Sequence, residues 1–149
     1  MGNYTSSFKK INFENIIDYQ KSNQSHILLI NTLPQNEQQC LIKKTISSSD
    51  EESIINNALY HNKSTAIYIY GKNNNDNAVA TKAKQLIDLG FTNIFIYMGG
   101  LFEWLLLQET YGCDNFPTQG QELDLLKYRP QKHKFQSEQL RLTNFVSNT

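Results

Sequence analysis

Six consecutive residues, Gly71, Lys72, Asn73, Asn74, Asn75 and Asp76, separate an apolar run from a helical one, and their types suit a backbone cradle for an anion. Glycine and asparagine tolerate the turn conformations in which successive backbone N–H groups converge, and a helix N-terminus immediately downstream adds its own unpaired donors. Lys72 is the positive charge in this loop, and Asp76 opposes it by repelling an anion. No thiol or hydroxyl lies among the six, so the loop holds nothing that forms a covalent intermediate. The two cysteines, Cys40 and Cys113, lie on either side of it. A reactive cysteine needs electropositive surroundings and a base, and Asp114 beside Cys113 argues against both, so a free thiol is expected there. His26, His61 and His133 have no metal-ligand spacing and are expected to be solvated. The sequence calls for neither cofactor nor metal.

A second chemical feature lies at the start. The segment MGNYTSSFKK offers Gly2 for N-myristoylation once Met1 is removed, with Ser6 at the expected hydroxyl position and Lys9 and Lys10 behind it. One acyl chain binds a bilayer marginally, so the two lysines would have to supply the second signal for peripheral membrane contact. A frayed polar terminus that matches a loose pattern is the competing reading, and the residues leave both open.

A chain of 149 residues with 39% hydrophobic content suits one compact core. Lysine plus arginine and aspartate plus glutamate number 14 each, so no overall field favours nucleic acid, and partners must be recognised locally. The runs HILLI, AIYIY and FEWLLL fall short of the ~20 residues a membrane-spanning helix requires, and no signal-peptide core follows the start, so a soluble cytoplasmic protein is expected. Two cysteines without framework spacing fit a reducing compartment. Short Asn/Gln-rich runs such as NNND and QNEQQC read as surface loops between apolar segments.

The elements that must position the loop alternate. Phe13 to Gln20 has helical spacing with Asn12 as its cap; His26 to Asn31 is an apolar run suited to a buried strand. Leu41 to Ile46 reads as a short strand or an extended segment. A serine-rich cap from Ser47 opens a helix that places Ile54, Ile55, Ala58 and Leu59 on one face. Ala66 to Tyr70 is a strand, Asn77 to Leu89 a helix ending at Gly90, and Asn93 to Met98 another strand. Such alternation predicts a mainly parallel sheet with helices on both faces, and ligands of such sheets bind at the carboxyl ends of strands, where the Gly71 to Asp76 loop lies.

The order AIYIY, loop, VATKAKQLIDLGF, NIFIYMGG and Trp104 resembles the second half of a rhodanese domain, in which a strand leads to the active-site loop and a later strand ends in Gly-Gly with a tryptophan close behind. HILLINTLP resembles the family's opening strand, and CLIKKTI stands where its Gly-His-Ile segment is found. The resemblance covers roughly Phe13 to Gln108 and implies an α/β, rhodanese-like three-layer fold. It divides the chain into an N-terminal segment, 1–10, a domain, 11–112, and a C-terminal extension, 113–149.

The resemblance also implies an active-site cysteine, carried as a persulfide, directly after the strand. Gly71 stands there, no cysteine lies between Cys40 and Cys113, and the arginine expected near the helix start is missing. The family's Asp and Arg of the opening strand are Asn31 and Leu33, and its histidine is Leu41. The expectation is a pseudoenzyme: a non-catalytic scaffold or protein-interaction module, with protein partners and no nucleic acid. By analogy with silent family members, two settings are expected, a cytoskeletal or ciliary microtubule assembly such as the axoneme, or a membrane reached through Gly2. The alternatives are a sulfurtransferase using Cys113 or a partner's cysteine, and an anion sensor using Lys72 and backbone amides. FEWLLLQETYG, with Phe102, Leu105, Leu106 and Glu109 in helical register, leads to a proline turn and then a polar tail after Pro130. The tail's sparse apolar residues, Phe135, Leu140, Leu142, Phe145 and Val146, suit folding on a partner or simple disorder equally.

Overall fold

A computed structural model describes residues 8–135. The elements run β1 (Phe8–Ile11), α1 (Phe13–Lys21), β2 (Ile27–Asn31), β3 (Leu41–Ile42), α2 (Ser48–His61), β4 (Ala66–Tyr70), α3 (Asn77–Leu89), β5 (Asn93–Tyr97), α4 (Gly100–Tyr111) and β6 (Thr118–Gln119). Single 3-10 turns occupy Gln35–Glu37 and Leu125–Tyr128. Strands β1, β5, β4 and β2 lie in that order in one sheet, every pair parallel, with Ile67 opposite both Leu28 and Ile94. Strands β3 and β6 form a small antiparallel ribbon apart from it.

Period-two alternation sends side chains of each central strand to two different cores. One is largely aliphatic: Ile30, Ile67, Ile69, Ile94 and Ile96 meet Ile55 of α2 and Val79, Ala83 and Leu86 of α3. The other is aromatic: Tyr70 and Tyr97 join Trp104 and Leu101 of α4, Ile16 of α1, and Phe116 and Tyr128 downstream. Trp104 is fully buried, at 0% exposure, stacks edge-on against Phe116 at 5.1 Å, and donates from Nε1 to Pro117 O at 3.1 Å. The layers are therefore α1 and α4 on one face of the sheet and α2 and α3 on the other, the α/β arrangement read from the alternation.

Local signals set the helix ends. Asn12 caps α1 by accepting the Glu14 amide at 2.9 Å, while Asn15 Oδ1 accepts the Asn12 amide at 3.2 Å, and α3 ends at Gly90 in the left-handed conformation. Three features differ from the sequence reading. Phe8–Ile11, which that reading splits between the N-terminal segment and the domain, is strand β1, drawn into the sheet by pairing with β5 and by Phe8 packing on the aliphatic core. Only Leu41–Ile42 of the Leu41 to Ile46 stretch is strand, because the chain turns back at Lys44, whose φ is 74° and whose ammonium donates to Ser22 O at 2.9 Å beyond α1. Within the segment set apart as an extension from Cys113, Phe116 and Tyr128 are buried in the aromatic core. Gly2 and the tail residues Leu140, Leu142, Phe145 and Val146 lie outside the described residues. Among the described residues no helix is long and apolar enough to cross a membrane.

Candidate functional site at the end of strand β4

Parallel pairing carries β4 into the loop with Gly71 at its carboxyl end, and helix α4 is docked onto that same point. Leu101 N donates to Gly71 O at 2.9 Å and Phe102 N to Lys72 O at 2.8 Å, so the first amides of α4 are satisfied by the loop's carbonyls. This close approach needs Gly100. Its φ is +67°, and a Cβ there would stand 2.7 Å from Gly71 O and 2.8 Å from Asn73 N, both rigid backbone atoms.

The loop's polar groups are turned inward. Asp76 caps α3, accepting the Ala78 amide on Oδ1 at 3.0 Å, and reaches back to accept the Lys72 amide on Oδ2 at 3.1 Å. Asn73 Oδ1 accepts the Asn75 amide at 2.9 Å, and Asn73 Nδ2 donates to Tyr128 O at 2.8 Å. Lys72 Nζ pairs with Glu37 Oε2 at 3.0 Å, which neutralises the charge that would attract an anion. The consequence falls on Gly71. A Cβ there would run into Asp76 Oδ2, with Val79 Cγ2 at 2.7 Å and Thr32 Oγ1 at 2.8 Å behind it. The space a side chain at position 71 would need is thus filled by the Asp76 carboxylate, and the Lys72 charge is already paired. Asn74 and Asn75 remain exposed.

The other sequence-predicted residues are dispersed. Cys113 is exposed, beyond the carboxyl end of α4; that helix has 12 residues, so roughly 18 Å of helix separates it from the loop at the other end. Cys40 is buried, with Sγ 3.9 Å from Gly120 O, and burial above all pushes its thiol pKa up. His26, His61 and His133 are exposed at separate places. Asn31 has become a structural residue: its Oδ1 accepts the Leu33 amide at 2.9 Å and Gln38 Nε2 at 2.9 Å, tying the chain that leaves β2. Leu41 is buried in β3. Glu37, Thr32 and Tyr128 close around the loop without any sequence signal, because each reaches it only through the tertiary fold.

Comparison with known proteins resolves the family. The rhodanese-like domain family matches residues 18–107, more than half of the chain. The chain belongs to the rhodanese-like domain family. Solved structures agree in fold: this rhodanese-like chain superposes on the BH2092 protein of Bacillus halodurans with a TM-score of 0.58 at 17% identity, covering 91% of each chain. The Alr3790 protein of Anabaena sp. gives a TM-score of 0.55 at 16% identity, covering 93% of this chain and 92% of its own. Ygr203w of Saccharomyces cerevisiae, described as a homolog of single-domain rhodanese and the Cdc25 phosphatase catalytic domain, gives 0.55 at 11% identity, covering 84% and 96%. No curated protein sequence matches the chain.

Proposed function

We propose that this rhodanese-like domain is non-catalytic and serves as a protein-interaction module whose loop face, Gly71 to Asp76, is a recognition surface. The observation that carries the reading is the packing of the Asp76 carboxylate against Gly71, which fills the position from which the family resemblance would have a cysteine project. A domain that only lost its thiol would keep the space for it; here the space is used for a structural contact. The exposed amides of Asn74 and Asn75 suit hydrogen bonding to a protein partner, since they donate and accept without a charge to desolvate. The partner is a protein, either in a structural assembly such as ciliary microtubules or at a membrane reached through acylated Gly2.

The experiment pairs two measurements on the full chain. Cyanide-dependent thiosulfate turnover is expected to be nil, and capture from native cells is expected to recover a specific protein whose retention falls when Asn74 and Asn75 are both changed to Ala. Intact mass of the recovered chain then separates the two settings: a myristoyl increment with membrane proteins supports the tether, and an unmodified chain arriving with tubulin supports the assembly. Turnover that disappears in Cys113→Ser would overturn the non-catalytic reading outright.

A further inference from the structure

Between Gly120 and Pro130 the chain is held to the domain chiefly through the 3-10 turn Leu125–Tyr128, which packs against α4. Gly120 O accepts from Thr118 Oγ1 at 2.8 Å and sits 3.9 Å from Cys40 Sγ, which ties this point to the ribbon. Between Gln121 and Pro130, Tyr128 is the one buried side chain, at 0% exposure, while Leu123 and Leu126 are 86% and 54% exposed. Leu125 packs part-buried against the same aromatic core. Contact with the loop is the hydrogen bond from Asn73 Nδ2 to Tyr128 O. The Glu122 backbone also meets the Cys40 thiol, and the other hydrogen bonds of the segment run within it: Lys127 Nζ to Glu122 Oε1 at 2.8 Å, Asp124 N to Glu122 Oε2 at 3.2 Å, and Arg129 N to Leu126 O at 3.1 Å.

The anchor itself is imperfect. Tyr128 Oη is buried with no hydrogen-bond partner among the described residues, so the hydroxyl regains hydration whenever the ring withdraws, which favours opening relative to a perfectly apolar anchor. Segments with few buried side chains and self-contained hydrogen bonds open at lower free energy than the sheet they cover. Cys40 reports on this place: it is fully buried, lies against Gly120, and its thiol meets the backbone of Glu122.

We infer that residues 121–129 form a strap that opens as a unit while the rest of the domain stays folded, withdrawing Tyr128 and uncovering Asn73 of the loop together with the Cys40 thiol. The bonds inside the segment need not break, so the strap leaves with its 3-10 turn intact, giving up together the burial of Tyr128 and Leu125, the Asn73 bond and the Glu122 contact with Cys40. Opening is a property of the fold and stands apart from whether the loop binds a protein.

The test is thiol labelling of Cys40 under native conditions, with the full chain carrying Cys113→Ser and iodoacetamide as the probe, beside amide exchange of Ile67 to Tyr70 in β4. Asn73→Ala is expected to speed Cys40 labelling about fivefold through loss of one hydrogen bond, and Tyr128→Phe to slow it roughly tenfold by removing the unpaired hydroxyl. Tyr128→Ala should speed it far more; if that variant does not fold, the other two carry the result. In the parent, Cys40 should label with a lower opening free energy and a weaker urea dependence than exchange of the β4 amides, because only the strap's surface is exposed. Equal opening free energies and equal urea slopes for the two would mean the thiol is reached only by global unfolding, and the strap would not exist as a separate unit.

Discussion

Asp76 and Gly71 are matched across the loop: the Asp76 carboxylate accepts the Lys72 amide at 3.1 Å and in doing so occupies the place where a side chain on Gly71 would begin. A rhodanese-like loop has thereby become a closed turn stabilised by its own anion. Any side chain introduced at position 71 must therefore displace the Asp76 carboxylate.

Gly71→Ala should cost about 1–3 kcal/mol by overpacking, since the new methyl displaces the carboxylate and crowds Val79 and Thr32. Asp76→Ala should cost about 1–2 kcal/mol through loss of the α3 cap. The two should be non-additive, because with the carboxylate gone the methyl meets only the second rank of contacts. Urea denaturation of the two single variants and the double variant measures the coupling; strict additivity would show that the carboxylate is not the obstacle.

The Gly-Gly pair at the start of α4 should divide sharply. At Gly100 a Cβ meets the backbone of Gly71 and Asn73, so Gly100→Ala is expected to destabilise by more than about 2 kcal/mol and to undo the docking of α4 on the loop. At Gly99 the obstacle is the Glu103 side chain, whose carboxylate can swing away while its Cβ, 2.7 Å from the added methyl, must give slightly, so Gly99→Ala should cost about 1 kcal/mol, less than Gly100→Ala. Equal melting temperatures for the two variants would contradict this account of the motif.

The Lys72–Glu37 pair is partly exposed, with side-chain exposures of 33% and 19%, and its contribution should be small. Lys72→Met is expected to lower stability by less than about 1 kcal/mol at low salt, with most of the difference vanishing at 1 M salt, where the Debye length is about 3 Å. A loss that persists at high salt would indicate that Lys72 acts through packing of its stem and not through its charge.

Alkaline pH should unfold the domain through its aromatic core. Burial above all raises the pKa of the Tyr70 and Tyr97 hydroxyls; the hydrogen bond shared with the Thr45 hydroxyl and the one donated by the Ile42 amide pull Tyr70 part of the way back, while the Glu103 charge pushes Tyr97 further up. In the unfolded chain a tyrosine ionises near pH ~10, so above that pH the folded state holds more protons than the unfolded one, and stability falls as pH rises. Below about pH 10 these groups leave stability flat. Tyrosinate absorbance followed alongside urea midpoints should show the two hydroxyls titrating only as the protein unfolds. Full titration of every tyrosine in a still-folded protein would refute it.

Much of the fold is legible without coordinates. The capping asparagine at position 12, the helical spacing of Val79, Ala83 and Leu86 ending at Gly90, and the branched runs of β2, β4 and β5 are signals between residues a few positions apart, and the structure keeps each of them. The position of the loop at the end of β4 follows from the same signals. Strand β1 escapes because four residues reading FKKI carry too little pattern; Phe8 and Ile11 become strand residues through what β5 and the two cores offer them. Phe116 and Tyr128 escape for a related reason, since single aromatics in a polar stretch announce no partner.

By itself, then, the sequence determined the alternation of strands and helices, the family likeness, and the lack of any cysteine between Cys40 and Cys113. Only the tertiary structure decided what became of the vacant loop: Asp76 turned into it, Glu37 took the charge of Lys72, and Tyr128 arrived from 55 residues downstream to accept the Asn73 amide. Periodicity and capping are local and leave their mark on neighbouring residues. Contacts between distant segments depend on the space that remains after those elements have packed, and no spacing in the chain records it.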